Sequence, residues 1–275
     1  MVRLIRHEAY KQFGSTGFWG MFCVGISLSV FSFLYAAIPL YAAEYREVMP
    51  NFDMWLFGLA SPSFIQYAFL YIYLPMCICL ACNDIFYIER SQAILPALHG
   101  RMAMGKLIAA KLLIYALSSL LLVALPLALN WLFCCTMYPS PALALSNPTR
   151  QATYLAATFW KGAYLDDTLL YESPWLYAFI RIGITAFWGF YMGALSMLLV
   201  LFGAGNRLTV IFAPMIAFYT FSLVFIGLNI PAPFNMLTPA HTSGALKYVM
   251  PTVTICAALW LTGLFFARIK ENVLL

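Results

Sequence analysis

The run from Leu112 to Phe133, LLIYALSSLLLVALPLALNWLF, carries no charged residue. A hydrocarbon core about 30 Å thick is crossed by about 20 such residues in a helix, and no soluble fold needs an apolar segment this long. The run lacks the alternation of a barrel strand, so a helix must satisfy its backbone groups. Comparable runs along the chain predict six spans: Gly17 to Leu40, Ser63 to Cys82, Leu107 to Phe133, Trp175 to Phe202, Leu208 to Leu228 and Tyr248 to Ala267. The whole composition agrees, at 64% apolar and 9% charged, where soluble chains are about a quarter charged. The fold expected is an all-α integral membrane protein, residues 1–275 forming one transmembrane domain.

Basic residues set the expected orientation. With the N-terminus inside, the inner segments hold Arg3, Arg6, Lys11, Arg90, Arg101, Lys106, Lys111, Arg207, Arg268 and Lys270, and the outer ones hold Arg46, Arg150, Lys161 and Lys247. That bias places both termini in the cytoplasm and the protein in the cell membrane. It also accounts for the net charge of +5 without any nucleic acid partner. Arg181 stands alone inside span four, where it is expected to snorkel outward or to pair with Asp166 or Asp167. The first apolar run reads as a retained span rather than a signal peptide. The seven cysteines show no ligand-like spacing with histidine, so no metal is expected. Cys23, Cys77, Cys79, Cys82 and Cys256 are expected to pack as small apolar groups, and the vicinal pair Cys134-Cys135 falls at the outer end of span three.

Three segments outside the spans carry information. Residues 1–16 place Val2, Leu4, Ile5, Ala9 and Phe13 on one side of a helix with Arg3, Arg6, His7 and Lys11 largely elsewhere, the pattern of a helix lying in the inner interface among lipid phosphates. Residues 83–106 form a cytoplasmic connection with Ile85, Ile88, Ala93, Ile94 and Leu98 between charges, expected to fold as one or two short amphipathic helices broken near Pro96. Residues 134–174 form a long outer loop with Pro139, Pro141 and Pro148, followed by a helix-like stretch capped at Thr149.

Gly100 to Lys106, GRMAMGK, has the G-x-x-x-x-G-K spacing of a phosphate-binding loop. Such a loop needs a magnesium-holding Ser or Thr after the lysine, a buried strand before it and a soluble α/β domain around it. Here Leu107 follows, the preceding ERSQAILPALH is polar and proline-broken, and the next helix enters the membrane. The chain therefore holds no nucleotide site of its own.

The same segment resembles the connection between spans two and three in type-2 ATP-binding-cassette exporter permeases. There an acidic-basic pair, an amphipathic coupling helix, a basic residue and a glycine-lysine occur in order, and the matching positions are Glu89-Arg90, Ser91 to Leu98, Arg101 and Gly105-Lys106. The resemblance extends to the N-terminal interfacial helix, the six spans and the short basic C-terminus, though Ser91-Gln92-Ala93 stands where Gly-Thr is common. It implies a permease that exports an amphipathic, lipid-like, peptide or drug-like substrate. ATP and magnesium would be bound by separate cytoplasmic ATPase subunits, and the pathway would form with a second permease copy or a related chain. Asp84, Glu89, Arg90, Arg101 and Lys106 are then the expected docking residues. Polar groups within spans, Ser32, Gln66, Asn130, Ser196 and Thr220, are candidates to line the pathway, although such groups commonly bond a neighbouring helix instead.

Two other readings compete. An intramembrane lipid-modifying enzyme would gather His, Asp, Glu or Ser near one face, whereas His7, His99 and His241 fall on opposite sides without an acidic pair. A non-transporting subunit that docks an ATPase, a sensor or assembly factor, would carry the same residues as a transporter.

Overall fold

The computed structural model describes residues 2–38, 55–56, 63–92, 104–138, 173–202 and 206–227. Among these every element is helical: α1 (Val2–Phe13), α2 (Thr16–Ala37), α3 (63–91), α4 (104–137), α5 (Pro174–Leu201) and α6 (Arg207–Gly227). Five of them, α2 to α6, are long and apolar enough to cross a membrane, and they correspond to the first five expected spans. The sixth span, the stretch 93–103 with Pro96 and Arg101, and nearly all of the loop 134–174 lie outside the described residues.

Successive helices run up and down, so one end of the bundle collects α1 and the adjoining ends of all five long helices. α1 turns into α2 through Ser15, whose hydroxyl accepts from the Phe18 N–H at 3.1 Å and so starts the next helix. The central element is α5, with 72% of its apolar window buried, against 28% for α2 and 33% for α6. Its Gly189 and Gly193 make that position possible. A Cβ at Gly189 would stand 3.1 Å from both Ser119 Oγ and Val123, and one at Gly193 would overlap Ile78. This small-residue pair is thus used within the chain, letting α3 and α4 approach the α5 backbone.

Three prolines stand inside these helices, and each frees the carbonyl four residues earlier. Pro75 frees Tyr71, which accepts from the Tyr219 hydroxyl of α6 at 2.8 Å. Pro126 frees Leu122, which accepts from the Tyr73 hydroxyl of α3 at 2.5 Å. Pro214 frees Val210, which accepts from the Ser196 hydroxyl of α5 at 2.6 Å. Before the first two prolines the helix widens to π-type turns, Ala68–Tyr73 and Leu120–Ala124, which move the ring away from the preceding carbonyl. Gly25 of α2 leaves room for the Tyr73 hydroxyl, which a Cβ there would overlap. In lipid no water can cap a freed carbonyl, so the hydroxyls both satisfy the backbone and tie helix to helix.

The fold departs from expectation at α3. The helix does not stop at Cys82 but continues to Ser91. Its 28 residues from Phe64 to Ser91 make about 42 Å at 1.5 Å per residue, so about 12 Å extends beyond a core about 30 Å thick. The polar residues that resemble a loop in the sequence are each answered by a neighbouring helix, and that keeps the segment helical and docked.

Candidate functional site

The extension of α3 brings four charges together. Glu8 of α1, Glu89 of α3, Lys11 of α1 and Lys111 of α4 form a closed ring in which charges alternate. Lys11 Nζ lies 2.8 Å from Glu8 Oε1 and 2.5 Å from Glu89 Oε1, and Lys111 Nζ lies 2.7 Å from Glu8 Oε2 and 2.9 Å from Glu89 Oε2. Every carboxylate oxygen therefore faces one ammonium. Glu8, Glu89 and Lys111 are buried, while Lys11 keeps partial contact with solvent. Lys111 also sits 4.7 Å from the centre of the Phe86 ring. A single charge at this depth would be costly, and the ring offsets that cost by pairing each ion twice.

The ring shifts Glu8 and Lys11 in the direction that keeps them charged. Burial pushes the Glu8 carboxyl up, but Lys111 and Lys11 outweigh it and hold Glu8 below the usual 4.5. Burial likewise pushes Lys11 down, and the carboxylates of Glu8 and Glu89 hold it above the usual 10.5.

Around the ring a second set of bonds joins the same helix ends. Gln12 Nε2 of α1 donates to the Ala81 carbonyl of α3 at 2.7 Å. Asn83 donates to the Gly193 carbonyl of α5 at 2.9 Å and accepts from the Tyr115 hydroxyl of α4 at 2.7 Å. Arg90 donates to the Val200 carbonyl at the end of α5. Asp84 accepts from both Arg207 Nε and Nη2 at the start of α6, the latter at 2.6 Å. One end of α3 thus braces α1, α4, α5 and α6 at once.

Of the expected docking residues, the structure places Asp84, Glu89 and Arg90 in this internal network, bonded to their own chain. Glu89 is buried and offers no surface. Lys106 is exposed near the start of α4, and Arg101 lies outside the described residues. Three of the expected pathway residues form hydrogen bonds within the chain. Asn130 donates to the Ser29 carbonyl of α2 at 2.8 Å and accepts from the Leu56 N–H at 2.8 Å. Ser196 caps Val210, and Thr220 bonds its own helix at Ile216. Ser32 and Gln66 are buried in α2 and α3.

Arg181 is 1% exposed within α5, which goes against snorkelling; the alternative partners Asp166 and Asp167 lie outside the described residues. α1 is helical with Leu4, Ile5, Ala9 and Phe13 partly buried; it also buries Glu8 and Gln12 and leaves Val2 exposed. The members of the ring that the sequence reading missed were Glu8, Lys11 and Lys111. Their signal was Lys111 within LIAAKLLIYAL, a charge enclosed by apolar residues that requires acidic partners at the same membrane face.

The described helices define a membrane-embedded, all-α protein whose ionic chemistry is concentrated at one end of the bundle. No family model, curated protein or solved structure matches the chain.

Proposed function

We propose that the chain is the permease subunit of an ATP-binding-cassette exporter, with six transmembrane helices and both ends in the cytoplasm. Separate cytoplasmic ATPase subunits would bind ATP and magnesium, and a second permease chain would complete the pathway. The observation that supports this reading is the braced end of α3. A segment that receives force from an ATPase must transmit it to several spans, and the residues immediately after Ser91 emerge from the one helix end bonded to α1, α4, α5 and α6. In this reading the coupling helix follows the brace, so docking contacts fall to Arg101, Lys106 and their neighbours. Glu89, Arg90 and Asp84 act as positioning residues behind it. The cargo proposed is amphipathic, lipid-like, peptide or drug-like, because α2 to α6 are rich in aromatics and poor in charge.

The test is gentle extraction of the tagged full chain from its native membrane, with mass spectrometry of what remains bound, repeated for Arg101→Ala with Lys106→Ala. Recovery of a P-loop ATPase that the double variant loses supports the reading. Absence of any ATPase from the wild-type preparation under all gentle conditions removes it.

A further inference from the structure

We propose that the outward face of α1, formed by Arg3, Arg6, His7 and Tyr10, binds the headgroups of anionic phospholipids in the adjoining leaflet. These four positions follow the i, i+3, i+4, i+7 spacing of one helix face, and all four are exposed. The opposite side reaches the bundle through Glu8, Lys11 and Gln12. α1 therefore uses its only acidic residue inward, within a ring whose charges sum to zero. Arg3 and Arg6 keep their charge, and among the described residues neither forms an ion pair.

Position argues for lipid over a water-borne partner. The Gln12 bond to the Ala81 carbonyl and the Glu8 bond to Lys111 hold α1 at the level where α3 and α4 leave the apolar core. After Ser15 the chain enters the apolar α2 at once. Trp19 is 53% exposed one turn into α2, with its indole N–H donating to the Phe13 carbonyl at 2.8 Å. An exposed indole at the start of a span marks the headgroup level, so the two guanidiniums stand beside phosphates, whose oxygens match their paired N–H donors. A zwitterionic headgroup returns no net attraction, whereas an anionic one is favoured by about fivefold per basic residue.

The test uses the full chain in nanodiscs of mixed phosphatidylcholine and phosphatidylglycerol, with native mass spectrometry of the lipids retained on release. Wild type is expected to retain phosphatidylglycerol preferentially, and the preference should weaken as salt rises. Arg3→Gln with Arg6→Gln is expected to lower that preference by about tenfold or more, on the same per-residue scale, while Arg3→Lys with Arg6→Lys keeps most of it. Because neither arginine belongs to the ionic ring, the melting temperature should stay at the wild-type value, which separates lost binding from lost folding. Equal retention of the two lipids by wild type overturns the proposal. So does a phosphatidylglycerol preference unchanged by the glutamine variant or by salt. A glutamine variant that loses an acidic copurifying protein with its lipids unaltered makes the face a protein-docking surface, and the proposal then fails.

Discussion

The two polar regions of this bundle solve the same problem by different means. At the braced end, full charges are buried and each is cancelled by two of opposite sign, on three helices at once. In the middle, the groups needing partners are backbone carbonyls freed by Pro75, Pro126 and Pro214, and neutral hydroxyls answer them one at a time. The first arrangement is strong but depends on every member, since removing one ion strands the others. The second consists of separate joints, each of which can fail alone.

The largest break in that contrast should come from the ring. Lys111→Ala leaves two buried carboxylates to Lys11 and is expected to cost about 3–5 kcal/mol, read as a large fall in melting temperature in detergent. Adding Glu89→Gln should recover part of the loss; no recovery would mean that Lys111 matters for packing and not for charge balance.

Gly193→Val tests the close approach that both regions rely on. Its Cβ would overlap Ile78 of α3, and the expected loss is about 1–3 kcal/mol. A wild-type melting temperature would show that α3 and α5 stand further apart.

The proline joints should be milder. Tyr73→Phe removes one hydroxyl from Leu122 and is expected to cost about 0.6–1.7 kcal/mol. In a Pro126→Ala background residue 126 regains an N–H that can reach the same carbonyl, so Tyr73→Phe should cost less there. Equal costs in the two backgrounds would uncouple the tyrosine from the proline.

A pH scan sharpens the comparison without mutation. Glu8 is held below its ordinary value, so its contribution is present above 4.5 and disappears as pH falls through the folded value. Lys11 is held above its ordinary value, so its contribution is present below 10.5 and disappears as pH rises through the folded value. Protection of the α1 amides, measured by pulsed hydrogen exchange and corrected for intrinsic rates, should be flat between about pH 5 and 10 and fall outside that window. The hydroxyl joints should show no matching acid step. The smallest effect is expected for Asp84→Asn, because its partner Arg207 is mostly exposed and solvent already screens the pair. A melting temperature shift as large as that of Lys111→Ala would make this pair part of the core brace.

Much of the membrane architecture was legible because uncharged runs are a direct record of burial in lipid. The limits of α2, α5 and α6 fall within a few residues of the apolar runs that announce them. The end of α3 was not legible for the same reason. Asn83, Asp84, Glu89 and Arg90 look like water-facing residues when only neighbours in sequence are considered, and their true partners lie on α1, α4, α5 and α6. Lys111 offered a partial signal, since a charge inside an apolar run requires an acid, but choosing Glu8 and Glu89 as its partners requires knowing how α1 docks. The prolines were similar. Their positions announced three orphan carbonyls, while the choice of Tyr73, Tyr219 and Ser196 to meet them is a property of helix packing.

The ionic ring has an electrical consequence. Two carboxylates and two ammoniums sum to zero, so displacing the ring itself along the membrane normal carries no net charge through the transmembrane potential. Moving one unpaired charge through the full potential would involve about 2.3 kcal/mol per 100 mV. Any voltage sensitivity of a motion at this end is therefore expected to come from Arg3, Arg6 and Arg90, which no acid among the described residues cancels, and not from the ring.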